Sequence, residues 1–154
     1  MTDKEALQRL QNMCSRQERC TYDILRKLNE WEIPDEKAEF VLNELISGEF
    51  VDDQRYAKAF VNDKFRFNHW GRIKIAMHLR QKDINELFIN TALDEISDEE
   101  YEQFVKNELL KKRKTLHEKS IYHLKSKLIR FGQSKGIEFE EIMKAIGEIT
   151  KPDD

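Results

Sequence analysis

The chain has 154 residues, enough for one domain of ordinary size or several small linked modules. Apolar residues are 39% and charged residues 37%, with only two prolines and five glycines; this excludes a turn-rich β sandwich and favours long helices under a large charged surface. No apolar run approaches the ~18 residues of a membrane span, and the opening MTDKEALQRL lacks a signal-peptide core. A soluble, cytoplasmic chain without membrane contact is therefore expected.

Taken from the N-terminus, apolar residues recur at three- and four-residue steps, and the spacing predicts helices over 3–17, 20–31 and 35–47. The pattern then starts again, with helices over 54–68, 71–82 and 85–96, and once more over 98–115, 119–134 and 138–149. These are copies. At an offset of 51, Ile24 falls on Ile75, Leu28 on Leu79, Ile33 on Ile84, Val41-Leu42 on Ala92-Leu93 and Leu45 on Ile96. A further 53 residues on, Leu128-Ile129 falls on Ile75-Ala76, Ile137 on Ile84, Ile142 on Ile89, Ala145-Ile146 on Ala92-Leu93 and Ile149 on Ile96; this copy departs at Gly132, which falls on Leu79. Three short helices bury little alone, so neighbouring copies must stack. The expected fold is all-α: three tandem three-helix repeats, 1–53, 54–97 and 98–154, forming an elongated, curved array.

The stretch FVDDQRYAKAFV crosses the first repeat boundary. Asp52-Asp53 reads as a helix start, one carboxylate accepting a backbone N–H and matching the helix's positive end. Ser97 and Glu100, at the next boundary, are spaced as a capping box. A catalytic dyad would have no reason to recur at module boundaries.

Catalytic and metal signatures are missing. Cys14 and Cys20 have neither CxxC nor zinc spacing. His69, His78, His117 and His123 form no HxxxH or HExxH element, and there is no GxxxxGK[ST] or GxSxG. No cofactor, metal or enzymatic activity is expected.

The net charge of −3 conceals segregation. Residues 30–53 carry nine acids against Lys37 alone, residues 64–82 six bases and no acid, and residues 105–135 ten bases against Glu108 and Glu118. Such blocks indicate an interaction surface for nucleic acid or for an acidic protein.

The stretch VLNELISGEFVDDQRYAKAFVNDKFR followed by WGRIKIAMHLRQKDI resembles the RecX family of recombinase regulators. The matching positions are Gly48, Asp52, Asp53, Arg55, Tyr56, Ala57, Phe60 and Val61, then Gly71 with Ile73 or Ile75, and Leu79, Lys82 and Ile84. The match covers residues 5–97 well and continues more weakly to 149. The family's usual glycine before the closing isoleucine is Glu32 in the first copy and Asp83 in the second, while Gly136 keeps it in the third; Asn68-His69 replaces another glycine. The resemblance implies three three-helix repeats and a protein that binds the RecA recombinase in the groove of its filament on single-stranded DNA. It would there limit filament growth, ATP hydrolysis, strand exchange and co-protease activity, and so modulate DNA repair, recombination and the SOS response.

A basic ladder is the expected filament-binding element. On a wheel of 71–83, Lys74, His78, Gln81 and Lys82 fall opposite the apolar Ile75, Ala76 and Leu79. On 119–132, His123, Ser126, Lys127 and Arg130 fall opposite Leu124, Leu128 and Phe131. Lys111, Lys112, Arg113 and Lys114 close the preceding helix, more charge than a helix dipole calls for. Tyr56 and Phe60 are expected in the core and Trp31 between modules, while Phe67 and Trp70 could stack on a base. A monomer with a weak accessory contact to DNA is expected. The main alternative is a helical module that binds single- or double-stranded DNA directly; a nuclease would need a carboxylate cluster for metal, whereas these acids sit at helix starts.

Overall fold

Why each helix ends where it does is visible in its backbone hydrogen bonds. The computed structural model describes residues 1–150; positions 151–154, the tail of the expected third repeat, lie outside the described residues. Nine α-helices and no strand occur among the described residues: α1 Asp3–Arg16, α2 Thr21–Glu30, α3 Asp35–Ser47, α4 Asp53–Arg66, α5 Arg72–Gln81, α6 Glu86–Leu93, α7 Asp98–Thr115, α8 Ile121–Ser134 and α9 Phe139–Ile149. Every predicted helix is present. The largest boundary difference is α6, which stops at Leu93 rather than 96.

The second helix of each copy stops in the same way. Glu32 N–H donates to Asn29 O and Ile33 N–H to Leu28 O; Asp83 donates to Arg80 and Ile84 to Leu79; Gly136 donates to Gln133 and Ile137 to Gly132. These paired bonds satisfy carbonyls that the helix end leaves open, and they require a left-handed residue after the last turn. Glu32, Asp83 and Gly136 supply it, with φ of 55°, 54° and 80°. The first two copies thus keep the turn without glycine, at a cost of about 1–2 kcal/mol per residue. The isoleucine that follows is buried in all three. His69, with φ of 57°, likewise holds a left-handed turn where the family pattern has glycine.

Burial follows the repeat. Ile24, Ile75 and Leu128 are fully enclosed, as are Ile89, Ile142, Val41 and Ala92, with Ala38 and Ala145 nearly so. Gly132, the one departure, also has a reason: a Cβ there would come within 2.6 Å of the Ile142 side chain. Where the first copy has Leu28 and Ala38, the third has Gly132 and Ile142, so bulk moves from one helix to its neighbour.

The chain forms two compact units, Met1–Phe60 with Leu79–Ala92, and Val61–His78 with the described residues from Leu93 onward. In the first, α1 and α2 pack on α3. Leu10, Ile24, Leu28, Val41 and Leu45 fill the centre, and Trp31, expected between modules, packs on this core. In the second, α7, α8 and α9 pack on one another around Tyr101, Val105, Leu109 and Leu128.

In the second unit the start of α5 meets the end of α8. Gly71 N–H donates to Lys135 O at 2.6 Å and Ile73 N–H to Gly136 O at 2.9 Å. A Cβ on Gly71 would overlap the Gly136 backbone, and one on Gly136 would overlap Lys74. We expect Gly71→Ala to lower unfolding free energy by about 1–3 kcal/mol, because backbone cannot move aside cheaply. Asp83→Gly should raise it by about 0.5 kcal/mol, relief of left-handed strain exceeding glycine's entropy cost. Urea denaturation of the two variants beside wild type checks both signs.

Candidate functional site

The boundary motif is a structural clasp. Asp52 precedes α4 and caps it, its Oδ1 accepting from Arg55 N at 3.0 Å. Asp53 caps a different helix, its Oδ1 accepting at 2.8 Å from the N–H of Thr21, the first residue of α2. Arg55 reaches back from α4: its Nε donates to Glu18 at 2.8 Å and its Nη2 to the Glu49 and Phe50 carbonyls at 3.0 and 3.3 Å. Tyr56 and Ala57 are buried behind this clasp, and Phe60 stacks on Tyr56 with centroids 5.9 Å apart. Gly48 ends α3 with an ordinary φ of −83°; the left-handed turn falls on Glu49 at 63°. Leu79 and Ile84 are core residues.

The second unit repeats the arrangement with other atoms. The N–H of Arg72, first in α5, donates at 3.1 Å to the hydroxyl of Tyr101 on α7. That hydroxyl in turn donates to Glu138. The Arg72 guanidinium lies 3.8 Å from the Tyr101 ring centroid and bonds Glu138 at 3.1 Å. Burial and the Glu138 bond push the Tyr101 hydroxyl pKa up, so it stays a donor. Ser97 caps α7 as expected, but the reciprocal half of the box is diverted, since the Glu100 carboxylate pairs with Arg66.

The predicted basic ladder separates into different environments. Lys82 pairs with Asp23, which also accepts from Cys20 N, and its ammonium lies 5.7 Å from the Tyr22 ring centroid. This contact locks the end of α5 to the start of α2. Lys74 and His78 converge instead on Trp70, at 4.6 Å each from its ring, with Lys64 at 5.0 Å. Lys74, His78 and Lys82 are half-buried, and the exposed side of α5 carries Ile73, Met77 and Arg80. The wheel missed this because it carries no information about residues outside the helix, here Asp23 and Trp70.

Farther along, Lys112 lies 5.3 Å from the Phe131 ring, Arg113 donates to Ile149 O at 2.7 Å and Lys127 pairs with Glu118. Lys111, Lys114 and Arg130 are exposed. Phe67 is 75% exposed, free of the core. Among the described residues no three His, Cys, Asp or Glu side chains gather as a metal would require, and no helix is long and apolar enough to cross a membrane.

A family model described as RecX, second three-helix domain, matches residues 52–93. Regulatory protein RecX of Limosilactobacillus reuteri (strain DSM 20016) is 35% identical over 108 residues, 70% of this chain and 39% of the relative. Its counterpart in Clostridium acetobutylicum is 31% identical over 131 residues, 82% of this chain and 60% of the relative. That of Lactobacillus johnsonii is 31% identical over 99 residues, 64% and 36%. The chain thus spans 36% and 39% of the length of the Lactobacillus johnsonii and Limosilactobacillus reuteri relatives. A crystal structure of regulatory protein RecX matches with a TM-score of 0.84 at 27% identity, over 95% of this chain and 71% of that one. The crystal structure of RecX from Lactobacillus salivarius shares the fold, with a TM-score of 0.87 at 20% identity over 96% of both chains.

Two predictions follow from the clasp. Asp52→Ala should cost about 1 kcal/mol by removing a cap, while Asp52→Asn, which still accepts, should cost far less; thermal unfolding reads the difference. Burial pushes the Cys20 thiol from 9.0 up to about 12. A folded pKa above the unfolded one gives stability that is complete below the unfolded pKa and is lost as pH rises toward the folded one. The urea midpoint should therefore fall as pH rises from about 9 toward about 12, and fall less in Cys20→Ala.

Proposed function

The chain belongs to the RecX family, and on that premise we propose that it regulates a RecA-type recombinase, binding the recombinase filament on single-stranded DNA and limiting its growth. Slower growth would reduce ATP hydrolysis, strand exchange and co-protease activity together, because each depends on filament length. The setting would be cytoplasmic, with the chain acting as a monomer on the filament and touching DNA only weakly.

The observation that carries this reading is the exposed positive stretch from the end of α7 into α8. Between Glu108 and Glu118 the sequence carries only basic charges. Lys111 and Lys114 are exposed there, and Arg130 on α8 is exposed as well. A filament offers such cations two kinds of partner, phosphates and acidic side chains, and either contact weakens with salt. Lys82 and Lys127 are less available, since each already faces a carboxylate.

A second reading is favoured by one feature. Trp70, with Lys64, Lys74 and His78 around it, combines a ring with cations, the elements of a base-stacking platform. The chain would then act on DNA directly.

Titrating the protein into a RecA ATPase assay on single-stranded DNA, well below one per recombinase, separates the two. Inhibition at that ratio with little binding to bare DNA supports the filament regulator; no inhibition with tight, salt-sensitive binding to bare DNA supports the second reading. Replacing Lys111, Lys112, Arg113 and Lys114 by Gln should weaken filament binding. It should also flatten the plot of log K against log salt by about 0.7 per lost phosphate contact. Unchanged affinity and slope would remove the basic stretch from the mechanism.

A further inference from the structure

We infer that a cavity of about 460 Å³ in the second unit is a docking socket for one large apolar side chain of the partner, presented beside acidic residues. The inference rests on the filament reading and adds which feature of the recombinase is gripped.

The cavity lies between the end of α4, with Phe65 and Arg66, the following His69, and one face of α7 from Glu100 to Lys111. Its wall is aromatic and braced. The Phe104 ring packs on Phe65 at 4.7 Å and Tyr101 at 5.7 Å, and lies nearly parallel to His69 at 6.4 Å. Phe104 is itself only half-buried, so the contact surface of a rigid aromatic cluster is left open, and a guest ring or branched aliphatic group would complete the stack.

The polar groups on the wall already answer one another. Gln103 Nε2 donates to Asn107 Oδ1 at 2.9 Å, Arg66 pairs with Glu100, and His69 Nδ1 meets Glu108 at 2.9 Å. Glu108 is 6% exposed, the one buried charged side chain among the described residues. With its acids matched, the socket has no unpaired carboxylate to hold a cation, and an apolar guest need displace none of these hydrogen bonds. A volume of this size takes one large side chain with its adjoining backbone, as anchor residues at interface centres do.

The mouth fixes the guest's neighbours. Lys111 lines the cavity, is 66% exposed and reaches Glu108 only at 4.0 Å. Lys114 stands one turn farther on, also exposed. Acidic residues next to the anchor would meet these two ammonium groups. A nucleobase is the other aromatic guest, and binding to bare oligonucleotide tells it from a protein side chain.

The test is to fill the socket. Asn107 and Gln103 are exposed on α7, so Asn107→Trp and, independently, Gln103→Trp place an indole over the cavity without disturbing the core; Asn107→Ala leaves it open. The affinity of each full-length variant is measured for recombinase filaments on single-stranded DNA and for the same oligonucleotide alone. Both tryptophan variants should bind filaments about tenfold more weakly, a typical loss of one anchor contact. Their salt dependence and bare-DNA affinity should match wild type, and Asn107→Ala should bind filaments as wild type does. Filament binding undiminished in both tryptophan variants overturns the socket; the filament reading then survives if the Lys111–Lys114 substitution still weakens binding. An equal loss on bare oligonucleotide overturns it in favour of a nucleobase guest. Wild-type protein that does not bind filaments removes the reading and the socket with it.

Discussion

A three-helix module of about fifty residues buries little alone, and one contact that ties neighbouring modules together is a cap given by one to another. The free N–H groups at the start of a second helix need acceptors. In the first unit the acceptor for Thr21 is Asp53, from the first helix of the next copy. In the second unit the acceptor for Arg72 is Tyr101, again from the first helix of the next copy. The atoms differ, a carboxylate in one case and a phenol in the other, but the demand is the same. It also accounts for the division into units. The start of α4 belongs with α1–α3 and the start of α5 with α7–α9, so the middle copy contributes to both.

The same dependence explains why costly turns survive. Among the described residues, four other than glycine hold left-handed backbone, Glu32, Glu49, His69 and Asp83. At Glu32 and Asp83 the strain is offset by two hydrogen bonds closing the helix and by the isoleucine set into the core next in sequence. Gly136 is different in kind. Its neighbour Lys74 leaves no room for a side chain, so glycine is required there by contact as well as by φ. Substituting acidic residues at two of three equivalent turns was therefore open to this sequence only where the turn is exposed, as Glu32 and Asp83 are.

Helix number, helix limits and most of the core were legible because they depend on local periodicity. Ile24, Ile75 and Leu128 could be aligned by spacing alone, and all three are enclosed. Asp52 as a cap was equally legible, being a short-range bond. Asp53, Arg55 and Lys82 were not. Their partners Thr21, Glu18 and Asp23 lie 32, 37 and 59 residues away, and a helical wheel carries no information about contacts at such separations. The wheel placed Lys82 on a solvent-facing stripe with Lys74 and His78, whereas the fold sends it to a carboxylate and sends the other two to Trp70. The alternation of charge along the chain was real, but part of it serves internal pairing.

Subtracting that internal pairing changes what the charge pattern means for function. Lys82 and Lys127 face carboxylates, Arg113 holds the end of α9, and Lys112 covers Phe131. The exposed remainder among the predicted ladder is Lys114 and Arg130, with Lys111, which reaches Glu108 only at 4.0 Å. If these are the cations that meet a partner, the expected salt dependence is shallow and the expected affinity for bare nucleic acid modest. Tight association would then need apolar surface beside them, and Lys111 adjoins such surface at the Phe104 cavity. A binder built this way discriminates by shape at the cavity and uses charge chiefly to bring partners together. That division would suit the proposed regulator, which on this reading has to distinguish an assembled filament from the DNA within it.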